Sequence, residues 1–157
     1  MRLAQFGFGP GRTNANPSEP TLTPASVAHL VTSWSTACEC DPDASRDQPL
    51  IAGGLVSTSE FSPGDDNPPR DVTLRARDLA PGAERWSVSV GGGWDRAVAG
   101  GVIIVVTNNT LQAFSLSTGA AAGTSQTVPG FDPQVVAGDG RIVVTNGMGL
   151  HVLAPSG

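Results

Sequence analysis

Over most of this chain apolar and polar positions alternate with a period of two. The alternating runs are short and are separated by Gly, Pro, Asn and Asp. Successive side chains on a strand point to opposite faces, so the pattern predicts half-buried β-strands. The clearest run sets Val72, Leu74 and Ala76 against Thr73, Arg75 and Arg77. Strands are predicted at 49–52, 55–61, 71–78 and 84–90, with 63–69 as a long exposed turn. Val102-Ile103-Ile104-Val105-Val106-Thr107 is apolar at both parities, which predicts a strand covered on both faces. Asn108-Asn109 then predicts a hairpin turn into an alternating strand over 110–116, with a weak outer strand near 123–128. The stretch 142–145, a turn at Asn146-Gly147, and 150–153 repeat that hairpin. Residues 30–36 read as a strand with Trp34 on one face. One turn of helix is predicted, with Thr23 as its cap and Pro24 in first position.

A phrase recurs within this pattern: a strand, Ala-Gly, a tight turn, then a strong strand. It appears as Ile51-Ala52-Gly53-Gly54-Leu55, as Val98-Ala99-Gly100-Gly101-Val102 and as Val136-Ala137-Gly138-Asp139-Gly140. From Ala52 to Ala99 to Ala137 the spacings are 47 and 38 residues. Short strands repeating at about 40 residues predict propeller blades, roughly one four-stranded sheet per repeat. The fold class expected is all-β: a β-propeller segment of about three four-stranded antiparallel blades with an extended N-terminal arm. The arm is placed at 1–29 and the partial propeller at 30–157. The latter divides into an outer strand at 30–36 and blades near 49–90, 94–128 and 133–157, the last without a fourth strand.

Composition narrows the function classes. A net charge of −5 and the absence of a basic patch argue against nucleic acid and anionic membranes. No apolar run approaches the roughly 18 residues of a membrane span. All nine basic residues are Arg, as in a GC-rich bacterial coding sequence. Met1-Arg2-Leu3-Ala4-Gln5-Phe6-Gly7 is too short and too soon polar for a signal peptide. The expectation is a cytoplasmic chain as written, or a secreted or periplasmic one if a leader was removed.

Candidate chemistry is sparse. Asp41, Asp43, Ser45 and Asp47 place oxygen ligands at alternate positions, the opening of a calcium loop. Arg46 stands where such loops carry Gly, and Ala52 where they carry a bidentate Glu, so a solvated acidic loop is the competing reading. Cys38 and Cys40 flank Glu39; free thiols, a small-ring disulfide and metal or redox chemistry all stay open. Asp65-Asp66 lies on the long exposed turn and His151 in the last hairpin. Trp34 and Trp86 read as packing anchors between blades, and Trp94, after a run of three Gly, as a candidate for a blade face. No Ser–His–Asp set or phosphate loop is present, and the Gly clusters precede strands rather than helices.

The recurring text resembles the PQQ-repeat, or quinoprotein-like, β-propeller superfamily. The resemblance is carried by Ile51-Ala52-Gly53-Gly54-Leu55-Val56, by Leu111-Gln112-Ala113-Phe114-Ser115-Leu116-Ser117-Thr118-Gly119 and by Leu150-His151-Val152-Leu153-Ala154-Pro155-Ser156-Gly157. The entry text Phe6-Gly7, Gly11-Arg12-Thr13 and Leu22-Thr23-Pro24-Ala25-Ser26-Val27 also resembles the start of such domains. The resemblance implies seven or eight blades in a closed ring. In the family's dehydrogenases it implies PQQ and Ca²⁺ held by carboxylate and amide side chains, with an Asp as base. None of those roles falls on a matching position here, and the family's adjacent cysteine pair is replaced by Cys38-Glu39-Cys40.

The expected function is therefore a non-enzymatic PQQ-like propeller scaffold or binding module, with a protein or small molecule as ligand. The alternative is a fragment of a PQQ- and calcium-dependent quinoprotein dehydrogenase. Three blades leave sheet faces uncovered. The missing neighbours are, in order, the rest of a longer propeller, a second copy closing a six-bladed ring, or another protein.

Overall fold

The computed structural model describes residues 22–37, 49–61, 72–91, 93–107, 109–123, 126–130 and 133–155. Apart from one helical turn, α1 (Pro24–Val27), the fold is all-β. Sheet one is β1 (Leu50–Ala52), β2 (Leu55–Phe61), β3 (Val72–Asp78) and β4 (Glu84–Ser89), in that order. Sheet two is β5 (Gly93–Ala99), β6 (Val102–Thr107), β7 (Thr110–Ser115) and the two-residue β8 (Gln126–Thr127). Sheet three holds β9 (Gln134–Gly138), β10 (Arg141–Asn146) and β11 (Gly149–Leu153). Every pairing is antiparallel between sequence neighbours. The first strands of the three sheets lie side by side, β5 packing against both β1 and β9. Meander sheets gathered on their first strands are the blades of a propeller segment.

The recurring phrase is the hairpin between the first two strands of each sheet. Gly53-Gly54, Gly100-Gly101 and Asp139-Gly140 all have positive φ at both turn positions, from 49° to 82°. A two-residue turn with that backbone matches strand twist and admits little besides Gly, Asn and Asp. The register shifts the third copy by one residue: Ala52 pairs with Leu55 and Ala99 with Val102, but it is Gly138 that pairs with Arg141. Structural equivalence therefore runs Ala52, Ala99, Gly138, not Ala137.

Two apolar clusters join the sheets. The first packs Leu50, Leu55, Leu74, Ala76 and Trp86 of sheet one against Val98, Ile103, Val105 and Phe114 of sheet two. The second packs Ala97, Ile104, Val106 and Leu111 of sheet two against Val135, Ala137 and Val144 of sheet three. β6 thus sends Ile103 and Val105 one way and Ile104 and Val106 the other, as its unbroken apolar run requires.

Some expectations change. Residues 30–37 carry no strand pairing among the described residues, although 30–36 reads as a strand. The outer strand of sheet two shrinks to β8 and one isolated bridge, Phe114 to Ala121. At the last hairpin the turn is Gly147-Met148, and Asn146 is the final strand residue. Its side-chain Oδ1 accepts the amides of Met148 and Gly149 at 2.9 and 3.1 Å. The helical turn is as expected, with Thr23 capping Ser26 N and Ser26 reciprocating to Thr23 N.

Candidate functional site

Sheet junctions and uncovered sheet faces are where this fold places its distinctive side chains. At the first junction Trp86, on the outermost strand of sheet one, reaches to the turn after β7. Its indole Nε1 donates to Leu116 O at 2.9 Å, and a Cβ on Gly119 would come within 2.6 Å of the ring. Gly119, at φ 71°, closes that turn by donating its N–H to Ser115 O. Both the backbone and the close approach of the ring demand glycine there. Trp34 repeats the arrangement one sheet earlier. Its Nε1 donates to Leu79 O at 2.9 Å, and a Cβ on Gly82 (φ 73°) would lie 2.5 Å from the ring. The reading as an anchor between blades holds for Trp86; Trp34 docks a segment outside the three sheets onto sheet one, and Gly82 and Gly119 are the partners that sequence reasoning missed. The signal was present as Leu79-Ala80-Pro81-Gly82 and Leu116-Ser117-Thr118-Gly119.

Sheet two has no matching tryptophan. Trp86 pairs across from Ala76; the equivalent Ala113 accepts Ala122 N at 2.8 Å beside the Phe114–Ala121 bridge, and a Cβ on Gly123 would sit 3.6 Å from the Ala113 Cβ. Polar bonds take over at the second junction. Asp95 Oδ2 accepts Val135 N at 2.7 Å, tying β5 to β9. Asn146 Nδ2 donates to Pro129 O at 2.8 Å, and Gly130 N donates to Asn109 Oδ1 at 3.2 Å. The first junction also holds a buried cation: Arg96, 4% exposed, donates from Nη1 to Ser59 Oγ and from Nη2 to Ser57 O. A buried guanidinium is costly unless its donors are engaged.

The two outward faces differ in kind. On sheet one Glu60 bonds Arg75 Nε at 2.6 Å and Arg77 Nη2 at 3.1 Å, and Arg75 reaches Glu84 at 2.7 Å. Hydrogen bonding to Glu60, then to Glu84, holds the Arg75 guanidinium above its ordinary pKa. Bonding to Arg75 keeps the Glu84 carboxyl below the usual carboxylate range. On sheet three the register aligns Val136, Val143 and Val152 across β9, β10 and β11. Val152 is 59% exposed and Leu150 66%.

Asp41, Asp43, Ser45 and Asp47, the calcium candidates, lie outside the described residues, as do Cys38, Cys40 and Asp65-Asp66. Trp94 falls on β5. His151 sits on β11 opposite Val144, with Nε2 buried and without a hydrogen-bond partner among the described residues. Among the described residues no three His, Cys, Asp or Glu side chains group as a metal site, and no helix is long and apolar enough to cross a membrane.

No family model matches this chain. No curated protein matches it. Among solved structures it is similar to residues 644–1017 of HIRA, at 15% identity and a TM-score of 0.48, over 77% of this chain and 39% of that one. It is also similar to BamB from Moraxella catarrhalis, at 18% identity and a TM-score of 0.45, over 70% of this chain and 43% of that one. The chain thus spans about two fifths of the solved chains it matches. At these scores the propeller-type assignment rests on the chain's own three sheets and their side-by-side first strands.

Proposed function

We propose that this chain is a non-enzymatic propeller-type scaffold, with an extended arm at 1–29 and a partial propeller at 30–157, that binds a protein through sheet three. One observation carries the reading. Val136, Val143 and Val152 form an apolar row across the outward face of that sheet, with Leu150 and Met148 exposed beside it. An apolar row across a sheet face suits recognition of another sheet or strand. The buried polar groups fit the same reading, because Arg96, Asp95 and the Trp86 indole are engaged in holding sheets together.

The test is a titration with PQQ and Ca²⁺, followed by quinone absorbance and by alcohol oxidation with an artificial electron acceptor. The scaffold reading expects no saturable uptake and no turnover. Stoichiometric quinone uptake with turnover would replace it with the quinoprotein-dehydrogenase alternative.

A further inference from the structure

We infer that Asn146 is a site of spontaneous covalent change. Its side-chain amide converts, without an enzyme, to a mixture of aspartate and isoaspartate, and the change unties sheet three from the connection that leads into it. The inference goes beyond the scaffold reading and does not rest on it.

The reaction needs a nucleophile, an electrophile and a place for the charge that develops between them. Of the chain's six asparagines only Asn146 is followed by glycine. The Gly147 nitrogen therefore carries no side chain beside it to obstruct its approach. Gly147 and its turn partner Met148 are exposed, and among the described residues the Gly147 N–H has no acceptor. Asn146 Oδ1 accepts Met148 N at 2.9 Å and Gly149 N at 3.1 Å. Attack on Asn146 Cγ puts negative charge on that oxygen, and two backbone N–H groups already point at it, the arrangement of an oxyanion hole. The other tight hairpins turn on paired positive φ values, whereas here the Asn146 side chain holds the turn.

The atoms balance with water as the co-reactant. Hydroxide takes the Gly147 N–H proton, and the nitrogen attacks Asn146 Cγ. The N–Cγ bond forms, the Cγ–Nδ2 bond breaks, and Nδ2 leaves as ammonia with a proton from water. The cyclic imide that results joins the Asn146 Cα, Cβ, Cγ and carbonyl carbon to the Gly147 nitrogen. Water adding at Cγ breaks the N–Cγ bond and gives aspartate. Water adding at the backbone carbonyl breaks its bond to nitrogen and gives isoaspartate. The consequence lies at the second junction. Nδ2 is the donor that holds Pro129 O at 2.8 Å, and a Cβ on Gly130 would collide with the same amide, so the side chain packs closely on that connection. After conversion an oxygen without a proton faces the Pro129 carbonyl, and the bond is lost. In isoaspartate the backbone also gains a methylene between β10 and its turn.

The experiment uses the full chain. It is incubated at mildly alkaline pH beside a synthetic peptide of residues 144–149, and both are followed by peptide mass mapping with detection of isoaspartate. The expected result is acid at position 146 of the folded chain, in both isomers and ahead of every other asparagine. Gly147→Ala should slow the conversion at least about tenfold, because its Cβ obstructs the nitrogen. Gly147 needs no positive φ, so that variant keeps the turn. Asn146→Asp stands for the converted form. Its Gly130 amide should exchange hydrogen at least about tenfold faster than in the unchanged chain, with the Ile103 and Ile104 amides unaltered. An amide retained at 146 after the peptide has converted, or a Gly147→Ala rate equal to that of the unchanged chain, overturns the inference. So does Gly130 exchange that is unaltered in Asn146→Asp, or a loss of protection that Ile103 shares. None of these outcomes bears on quinone uptake.

Discussion

The two junctions between sheets solve one problem in different ways. Sheets one and two are joined by volume: Leu74, Trp86 and Phe114 fill the gap, and the indole is pinned over Gly119. Sheets two and three are joined mostly by Val, Ala and Ile, with the small Ala122 and Gly123 beside Ala113. There Asp95 accepts the Val135 amide across the gap, and Asn146 donates to Pro129 O on the connection between the sheets. The contrast teaches that a junction without the large ring can be held by small apolar side chains and by a carboxylate that ties the first strands together. Both junctions bury apolar side chains and carry hydrogen bonds between the sheets, but the large ring stands at the first, so the two should fail differently.

The largest expected effect is at the first junction. Trp86→Ala should cost about 3–5 kcal/mol in urea unfolding, because it removes a buried ring and opens a cavity. A loss below about 1 kcal/mol would mean that the clamp is not what joins the sheets. Asp95→Ala should cost about 1–3 kcal/mol by leaving the Val135 amide without its acceptor. Hydrogen exchange sharpens the comparison: the Val135 amide should lose protection while the Ile103 and Ile104 amides keep theirs. Equal loss in both sheets would show that the junctions are not independent.

Gly119→Ala and Gly123→Ala separate the junctions with one chemical change. The first forces a Cβ into the Trp86 ring at positive φ and should lower the melting temperature by several degrees. The second has room for a methyl and should be neutral or stabilising by up to about 1 kcal/mol. Reversal of that order would show that the Trp86 ring is not held close over position 119. The smallest effect belongs to the outward face of sheet one. Glu84 titrates lower when folded than unfolded, so its contribution is present above the unfolded carboxylate pKa and is lost as pH falls through the folded one. Glu84 is well exposed, so solvent screening limits the loss to less than about 1 kcal/mol. Glu84→Gln should lower stability at neutral pH by less than about 1 kcal/mol and leave it little changed in acid, so that the acid limb of the profile is slightly flatter.

Much of the fold was legible in the sequence because strands and tight turns are local. The alternation of Val72, Leu74 and Ala76 with polar neighbours marked β3, and the double-parity run from Val102 marked a strand buried on both faces. The glycine pairs announced their hairpins, since only a few residues accept positive φ. The sheet-three face was harder to read. Val143 and Val144 look alike in sequence, and only the register turns Val144 toward sheet two and Val143 outward. Residues 30–36 carry strand chemistry but have no strand partner among the described residues, because pairing needs an edge that propensity cannot supply.

The sequence by itself determined where strands run, where they turn and which of their positions are apolar. These follow from period-two geometry and backbone sterics within a few residues. Tertiary structure alone decided that Trp86 meets Gly119, that Asp95 meets the Val135 amide 40 residues away, and that Arg96 is buried against Ser57 and Ser59. Those meetings depend on how whole sheets stack, and stacking is set by the summed shape of two faces rather than by any residue and its neighbours in the chain.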